Sequence, residues 1–258
     1  MAWRRELVEE RPATWEAVLR LAERVPVALS VSGPHAICTF FSIAVVLGEE
    51  PGRADLVSDA VAKEALAVIV RLSSTAPKGI ELLNPIRLLE SMATTDDIAL
   101  VPLVYGYVNY ARDTLGRSSV SFGDAPLTRS GGRLGSVLGG TGIALSRRSQ
   151  PDAALLDHLR WLMSVDTQSS FISSHEGQPS ARAAWYSEAV NAPVSGFYLA
   201  TAATVEAAYA RPRHDGYIAF QTEGSAITRT GILEKYRQQP FSGGFVRLGL
   251  EVLPQENQ

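Results

Sequence analysis

Cysteine is nearly missing from this sequence: Cys38 is the single one among 258 residues. One thiol excludes an intrachain disulfide, a CxxC redox pair and any metal site built on several thiolates. An excess of charge of one sign is missing too. The 24 Lys and Arg residues are mixed along the chain with 27 Asp and Glu, for a net charge of −3. No long-range field would draw such a chain onto nucleic acid or an anionic membrane.

Long apolar runs are also absent. The longest, AICTFFSIAVVL over 36–47, includes Thr39 and Ser42 and falls short of the ~20 residues of a membrane span. The opening MAWRRELVEERPATW is charged throughout and lacks the ~7–15-residue apolar core of a secretory signal. The reading is of a chain with no direct membrane insertion, cytoplasmic if Met1 is its true start. Internal repeats, low-complexity tracts and heptad arrays are missing as well. The pairs Asp157/His158 and His175/Glu176 are sequence neighbours that point apart on a helix, so neither makes a metal or acid–base pair. No metal site and no cofactor are expected.

What is present suits a packed core: 46% hydrophobic and 20% charged residues are ordinary for a globular protein. At ~100–200 residues per domain, the length allows one large α/β domain or two modest lobes. Thr14 caps a short helix carrying Trp15, Val18, Leu19 and Ala22. VPVALSV (25–31) reads as a strand, SGPH breaks it, and a second helix starts at Pro34. A long helix is expected over 53–74, and Asn84-Pro85 opens the next, PIRLLESMA. IALVPLVY (98–105) reads as a strand buried on both faces, ending in the aromatic loop YGYVNYA. SVSFGDAPL (119–127) is extended, Pro151 starts a helix with Leu155, His158 and Leu162, and Ser164 caps VDTQSSFI. Asp215 reads as the cap of a helix beginning GYIAFQ. Trp15 and Trp161 lie on apolar helix faces and read as core.

The glycines of GSVLGGTGIALSRRS (135–149) resemble a phosphate cradle only superficially. A cradle opens its backbone amides directly into a helix N-terminus. Here an apolar β-branched segment follows, the next helix waits until Pro151, and neither a GK[ST] ending nor a GxGxxG spacing is present. The expected role is close backbone approach before a strand over 136–146. A second, enzymatic reading rests on the glycine- and serine-rich loop 130–140, SGGRLGS, as in an amidase-like hydrolase. That loop should be GGSSGGS-like with an upstream lysine base, and Lys63 and Lys78 have no partner serine.

The run FGDAPLTRSGGRLGSVLGGTGIALSRRSQPDAALLDHLRWLMSVDTQ resembles the second half of family 1 extracellular solute-binding proteins, the ligand-capturing subunits of ATP-binding-cassette importers. TWEAVLRLA is similar to that family's opening helix. VALSVSGPHAICTFFSIAVVLGE, NPIRLLESMATTDDIALVPLVYGYVNYA and RPRHDGYIAFQTEGSA follow in the family's order, so the resemblance spans nearly the whole chain. Family members begin with a signal and a first βαβ-rich segment, whereas this sequence opens at the TW helix. A missing half-lobe is therefore expected, whether the chain is a fragment, a late-start product or a shortened relative.

The resemblance implies an α/β, type 2 periplasmic-binding-like fold of two lobes, the first incomplete. Residues 1–122 and 175–258 would form the second, discontinuous lobe and 123–174 part of the first. It implies non-catalytic capture of a small polar solute, a carbohydrate, for the membrane permease of an importer, with a periplasmic or extracellular location. A cytosolic ligand sensor on the same fold is a further alternative. Carried over residue by residue, the ligand-binding positions are His35, Tyr105, Tyr107, Gly140, Thr141, Gln178 and Arg182, with Tyr217 reaching the cleft from a helix first turn. Each has a plainer reading: His35 as a surface histidine, the tyrosines as core, Gln178 and Arg182 as a solvated loop. The glycine reading predicts that equilibrium dialysis will find no saturable ATP or NAD binding; such binding, abolished by Gly140→Val, would contradict it.

Overall fold

The structure, a computed structural model, describes residues 1–52, 56–113 and 116–236. In chain order its elements are β1 (Ala2–Trp3), α1 (Trp15–Leu21), α2 (His35–Val46), α3 (Asp59–Thr75), α4 (Pro85–Thr94), β2 (Leu100–Val101), β3 (Ser121–Phe122), α5 (Ala153–Met163), α6 (Val165–Thr167), α7 (Arg182–Trp185), α8 (Glu188–Asn191), α9 (Phe197–Glu206) and α10 (Tyr217–Tyr236).

Local capping chemistry sets the starts of α1, α3, α4, α5 and α6. Thr14 Oγ1 accepts from Ala17 N at 3.2 Å, Asn84 Oδ1 from Arg87 N at 2.9 Å, Asp152 Oδ1 from Leu155 N at 2.8 Å and Ser164 Oγ from Thr167 N at 3.2 Å. Each bond satisfies a helical N–H that has no partner within its own helix. Three starts differ from expectation. The helix expected from 53 begins at Asp59 under Ser58, and 53–55 lie outside the described residues. The helix expected from Pro151 begins at Ala153, because the Asp152 side chain takes the cap. Asp215 stands one residue too early to cap α10; its Oδ1 accepts from Gly216 N at 3.0 Å.

The sheet has the order β2-β1-β3, both pairs antiparallel, with Ala2 opposite Val101 and Phe122. Its central strand lies in the charged opening of the sequence, where no strand was expected. The expected strands are longer than the observed ones. VPVALSV runs beside β2 through a single bridge, Val27 to Leu100, with Ala28 N donating to Leu100 O at 2.9 Å. Pro26 lacks the N–H a longer ladder would need.

Helical layers cover both sheet faces. Leu100 joins the cluster of Val18, Ile37, Phe40, Phe41, Ile43 and Ile69, whereas Val101 joins Leu88, Leu89, Met92, Ile98 and Phe197. Neighbouring strand residues thus serve opposite layers, as strand geometry requires. The apolar run 36–47 is α2, buried at every position from Ala36 to Val46. A helix apolar all round belongs in a core, and α2 packs against α3 and α10. No helix among the described residues is long and apolar enough to cross a membrane.

The stretch 123–174 is built differently. The strand expected over 136–146 does not form: Val137 bridges Tyr209, Leu138 N donates to Tyr209 O at 2.9 Å, and the chain beyond runs exposed to Asp152. A strand needs a partner to satisfy its backbone groups, and Tyr209 alone supplies one among the described residues. α5 buries none of its residues. Ile143 is 64% exposed and Met163 58%, and Trp161 and Phe171, whose ring centroids lie 5.2 Å apart, are exposed with them. Trp161, expected in the core, is therefore a surface residue.

Arg4 fastens β1 to α4. It is 5% exposed, and its guanidinium donates to the carbonyls of Met92 at 2.6 Å and Thr95 at 3.1 Å, while Glu6 and Asp96 balance its charge at 3.1 and 3.4 Å. A cation at a helix C-terminus also meets the negative end of the dipole. Arg4→Ala should lower unfolding free energy by roughly 2–4 kcal/mol, since each carbonyl left without a partner costs ~1–3 kcal/mol. Urea unfolding measures this; an unchanged midpoint would contradict the role given to Arg4.

Candidate functional site

Three parts of the chain converge where α2 begins, its first turn, the loop after β2 and the 125–139 crossing segment, and the start of α10 packs further along α2, with Phe220 against Phe41. His35 is the first residue of α2, behind Pro34. Its ring meets that of Tyr105 edge-on, with centroids 5.9 Å apart at 65°. One turn further along α2, the Cys38 thiol lies buried and donates to Pro34 O at 3.5 Å. Tyr217, the first residue of α10, is 6% exposed and packs edge-on against His214 at 5.7 Å.

Glycine brings the crossing segment this close. A Cβ on Gly135 would collide with the α2 backbone at Ser42 and Val46, and one on Gly139 would overlap the Tyr105 ring. Ser42 Oγ holds the segment by accepting from Val137 N at 3.0 Å. The glycine-rich turn thus lies against a protein helix and ring, while the next helix starts only at Ala153.

Of the residues expected from the sequence, His35 and Tyr105 come into ring contact, and Tyr217 packs against His214 and Phe220. Gly140 and Thr141 lie next to them in sequence but are exposed, and a Cβ on Gly140 would meet nothing. Tyr107 packs against the second core cluster. Gln178 fastens the aromatic loop, its Oε1 accepting from Val108 N at 3.1 Å. Arg182 is exposed, paired with Glu206 and stacked 5.7 Å over the Tyr186 ring. Sequence reasoning missed Arg211, His214 and Ser30.

Burial governs the electrostatics. It holds His35 below the usual imidazole range, helped by the charge of Arg211. It pushes the Cys38 thiol up, and the phenols of Tyr105 and Tyr217 well up. The thiol is therefore no thiolate nucleophile, and both phenols remain neutral hydroxyl donors. Lys63 and Lys78 are exposed, and neither they nor any acidic residue lines the cavity here. The one carboxylate paired with the loop 130–140 among the described residues is Glu50, held by Arg133 at 2.7 Å, and no lysine base of the hydrolase reading lines the cavity.

The hydrogen bonding is incomplete. Tyr105 Oη, Tyr217 Oη, Arg211 Nε, His214 Nε2 and Ser30 Oγ are sealed from water with no oxygen or nitrogen partner, the weakly bonding Cys38 thiol standing beside the Tyr105 and Arg211 side chains. Each such group costs ~1–3 kcal/mol, so the arrangement favours any occupant that supplies oxygen atoms. The adjoining cavity, walled by Ser30, His35, Thr39, Ser42, Tyr105 and Ser136, has a volume of about 60 Å³. A water needs ~10–15 Å³, so the cavity takes a few waters and not a solute ring. A second hollow of about 570 Å³ lies between residues 7–13 and α1; none of the five partnerless groups named above lines it.

The two glycine contacts make a prediction. Gly139→Ala forces the Tyr105 ring to shift and should cost about 1–3 kcal/mol, whereas Gly140→Ala should stay within about 0.5 kcal/mol of the parent. Thermal unfolding with near-ultraviolet circular dichroism checks both, and equal effects would contradict the placement of Gly139 over the ring.

No family model and no curated protein matches the sequence. Solved structures do. The maltose-bound MalE3 of T. maritima superposes with a TM-score of 0.75 at 17% identity, covering 98% of this chain and 68% of its own. A solute-binding protein of an ABC transporter from Thermotoga lettingae, bound with α-D-tagatose, gives 0.74 at 16% identity, over 98% and 69%. The cyclic α-maltosyl-1,6-maltose binding protein of Arthrobacter globiformis gives 0.72 at 14% identity, over 98% and 69%. The chain therefore has the α/β periplasmic-binding fold of these sugar-binding proteins, 98% of it superposing on 68–69% of their length.

Proposed function

We propose that the protein captures a small polar solute, a sugar, without chemical change, and presents it to the membrane permease of an ATP-binding-cassette importer outside the cytoplasm. One observation carries this reading: partnerless polar side chains gather around the His35–Tyr105 ring pair where the crossing segment meets the main body. A sugar offers what that place lacks, hydroxyl oxygens for stranded donors and a C–H face for an aromatic ring.

The solute ring would sit at the cavity mouth over His35 and Tyr105, since the cavity itself holds only waters. Residues 1–122 and 175–258 would form one jaw, with the described part of the latter ending at Tyr236, and 123–174 part of the other. The sugars in the solved relatives of the same fold support the substrate class. A raised thiol and exposed lysines speak against the hydrolase alternative.

Isothermal titration against a panel of mono- and oligosaccharides tests the proposal. At least one sugar should bind, and Tyr105→Ala should weaken it by about 1–3 kcal/mol through lost ring contact. Tyr186→Ala, on the exposed far side, should leave affinity unchanged. Failure of every sugar to bind, or indifference to Tyr105→Ala, would overturn the reading.

A further inference from the structure

Two arginines of this protein reach inward, and they are treated in opposite ways: Arg4 is buried whole, whereas Arg211 is half-buried with its Nε sealed from water. Arg4 has Glu6 and Asp96 within 3.4 Å and two carbonyls besides. Arg211 has no carboxylate against it among the described residues. Its Nη1 donates to the neutral amide oxygen of Gln221, and its Nε is buried without a partner. Sealing a guanidinium N–H from water without an acceptor is costly. Its charge nevertheless reaches His35, Cys38, Tyr105 and Tyr217, all around the candidate site. No acidic side chain lines the adjoining cavity; Asp124, the nearest in sequence, is held by the N–H and Oγ1 of Thr204, both at 2.7 Å.

Resting on the solute-binding reading, we infer that the solute is a sugar carrying an oxyanion, whose negative group is received by Arg211 together with the Tyr217 and Tyr105 hydroxyls. The three groups share one chemistry. Each has a polar atom sealed from water without an acceptor, each offers a proton to an oxygen, and one carries the positive charge. An anionic oxygen accepts several donors at once, and bonds between charged partners are roughly twice as strong as neutral ones. With Nη1 occupied, the free Nε edge of the guanidinium still presents the side-on geometry that suits a carboxylate or phosphate.

Arg112 is the internal control. Its Nε is also buried and partnerless, but its Nη2 donates to Ser173 O at 3.1 Å, and neighbouring Tyr198 has Gly177 O as its acceptor at 3.5 Å. One stranded N–H in a satisfied neighbourhood recruits nothing. Two stranded hydroxyls beside a stranded guanidinium N–H call for an anion.

Titration calorimetry on the full chain compares D-galacturonate with D-galactose and D-glucose 6-phosphate with D-glucose. An acidic sugar should bind about tenfold or more tightly than its neutral counterpart, the equivalent of one charge-assisted bond. The pair showing the gap tells a carboxylate from a phosphate. Arg211→Gln should abolish the gap, Arg211→Lys should retain part of it, and Arg71→Gln, on the exposed surface, should leave it intact. Circular dichroism confirms that each variant is folded, and the lysine variant decides if the glutamine one is not. Neutral sugars binding as tightly as acidic ones, or a gap that survives Arg211→Gln, would overturn the inference and leave sugar binding standing. Binding of no sugar would remove both.

Discussion

Everything at the candidate site is referred to α2, a helix buried on all sides. Its first turn presents His35 and Cys38, its Ser42 hydroxyl holds Val137, and the backbone at Ser42 and Val46 forms the floor over which Gly135 passes. From the opposite side, Ser225 of α10 accepts from Ile37 N at 3.3 Å, and Phe220 stacks on Phe41 with centroids 6.3 Å apart. A fully enclosed helix has little freedom to shift, because interiors are packed to crystal density. The groups resting on it therefore stay in register with one another. That rigidity lets donors remain stranded: a looser site would turn its hydroxyls toward water.

The two halves of this arrangement differ in kind. The body around the sheet is covered on both faces by helices. The 123–174 stretch contributes a crossing segment and α5, whose apolar side chains stand in solvent. One side of the site is thus a finished surface and the other a strap anchored at Gly135, Val137 and Gly139. Polar donors on the finished side and an adaptable strap on the other would let the pair close on a solute whose size the 60 Å³ cavity alone could not admit.

What the sequence told reliably was local. Thr14, Asn84 and Ser164 cap helices as read, because a cap depends on residues three positions apart. The apolar stretch after Pro34 was legible as a helix too short for a membrane. Strand lengths were not legible, since pairing is decided elsewhere: IALVPLVY shrinks to Leu100–Val101 and GSVLGGTGIAL to one bridge, for want of neighbours in space. The central strand at Ala2–Trp3 had no local signal at all. At the candidate site, His35, Tyr105 and Tyr217 were named from the sequence, but Arg211 was not. RPRHD carries two arginines and one aspartate, and only the fold reveals that Asp215 turns to Gly216.

The central claim is that a solute completes this site by satisfying Arg211 and the two tyrosines. A crystal structure of the chain grown with D-galacturonate tests it most directly. The account predicts the sugar ring over Tyr105, with its carboxylate within hydrogen-bond distance of Arg211 Nε and the Tyr217 hydroxyl. A sugar seated instead between residues 7–13 and α1, or one that leaves Arg211 Nε without a partner, would contradict it.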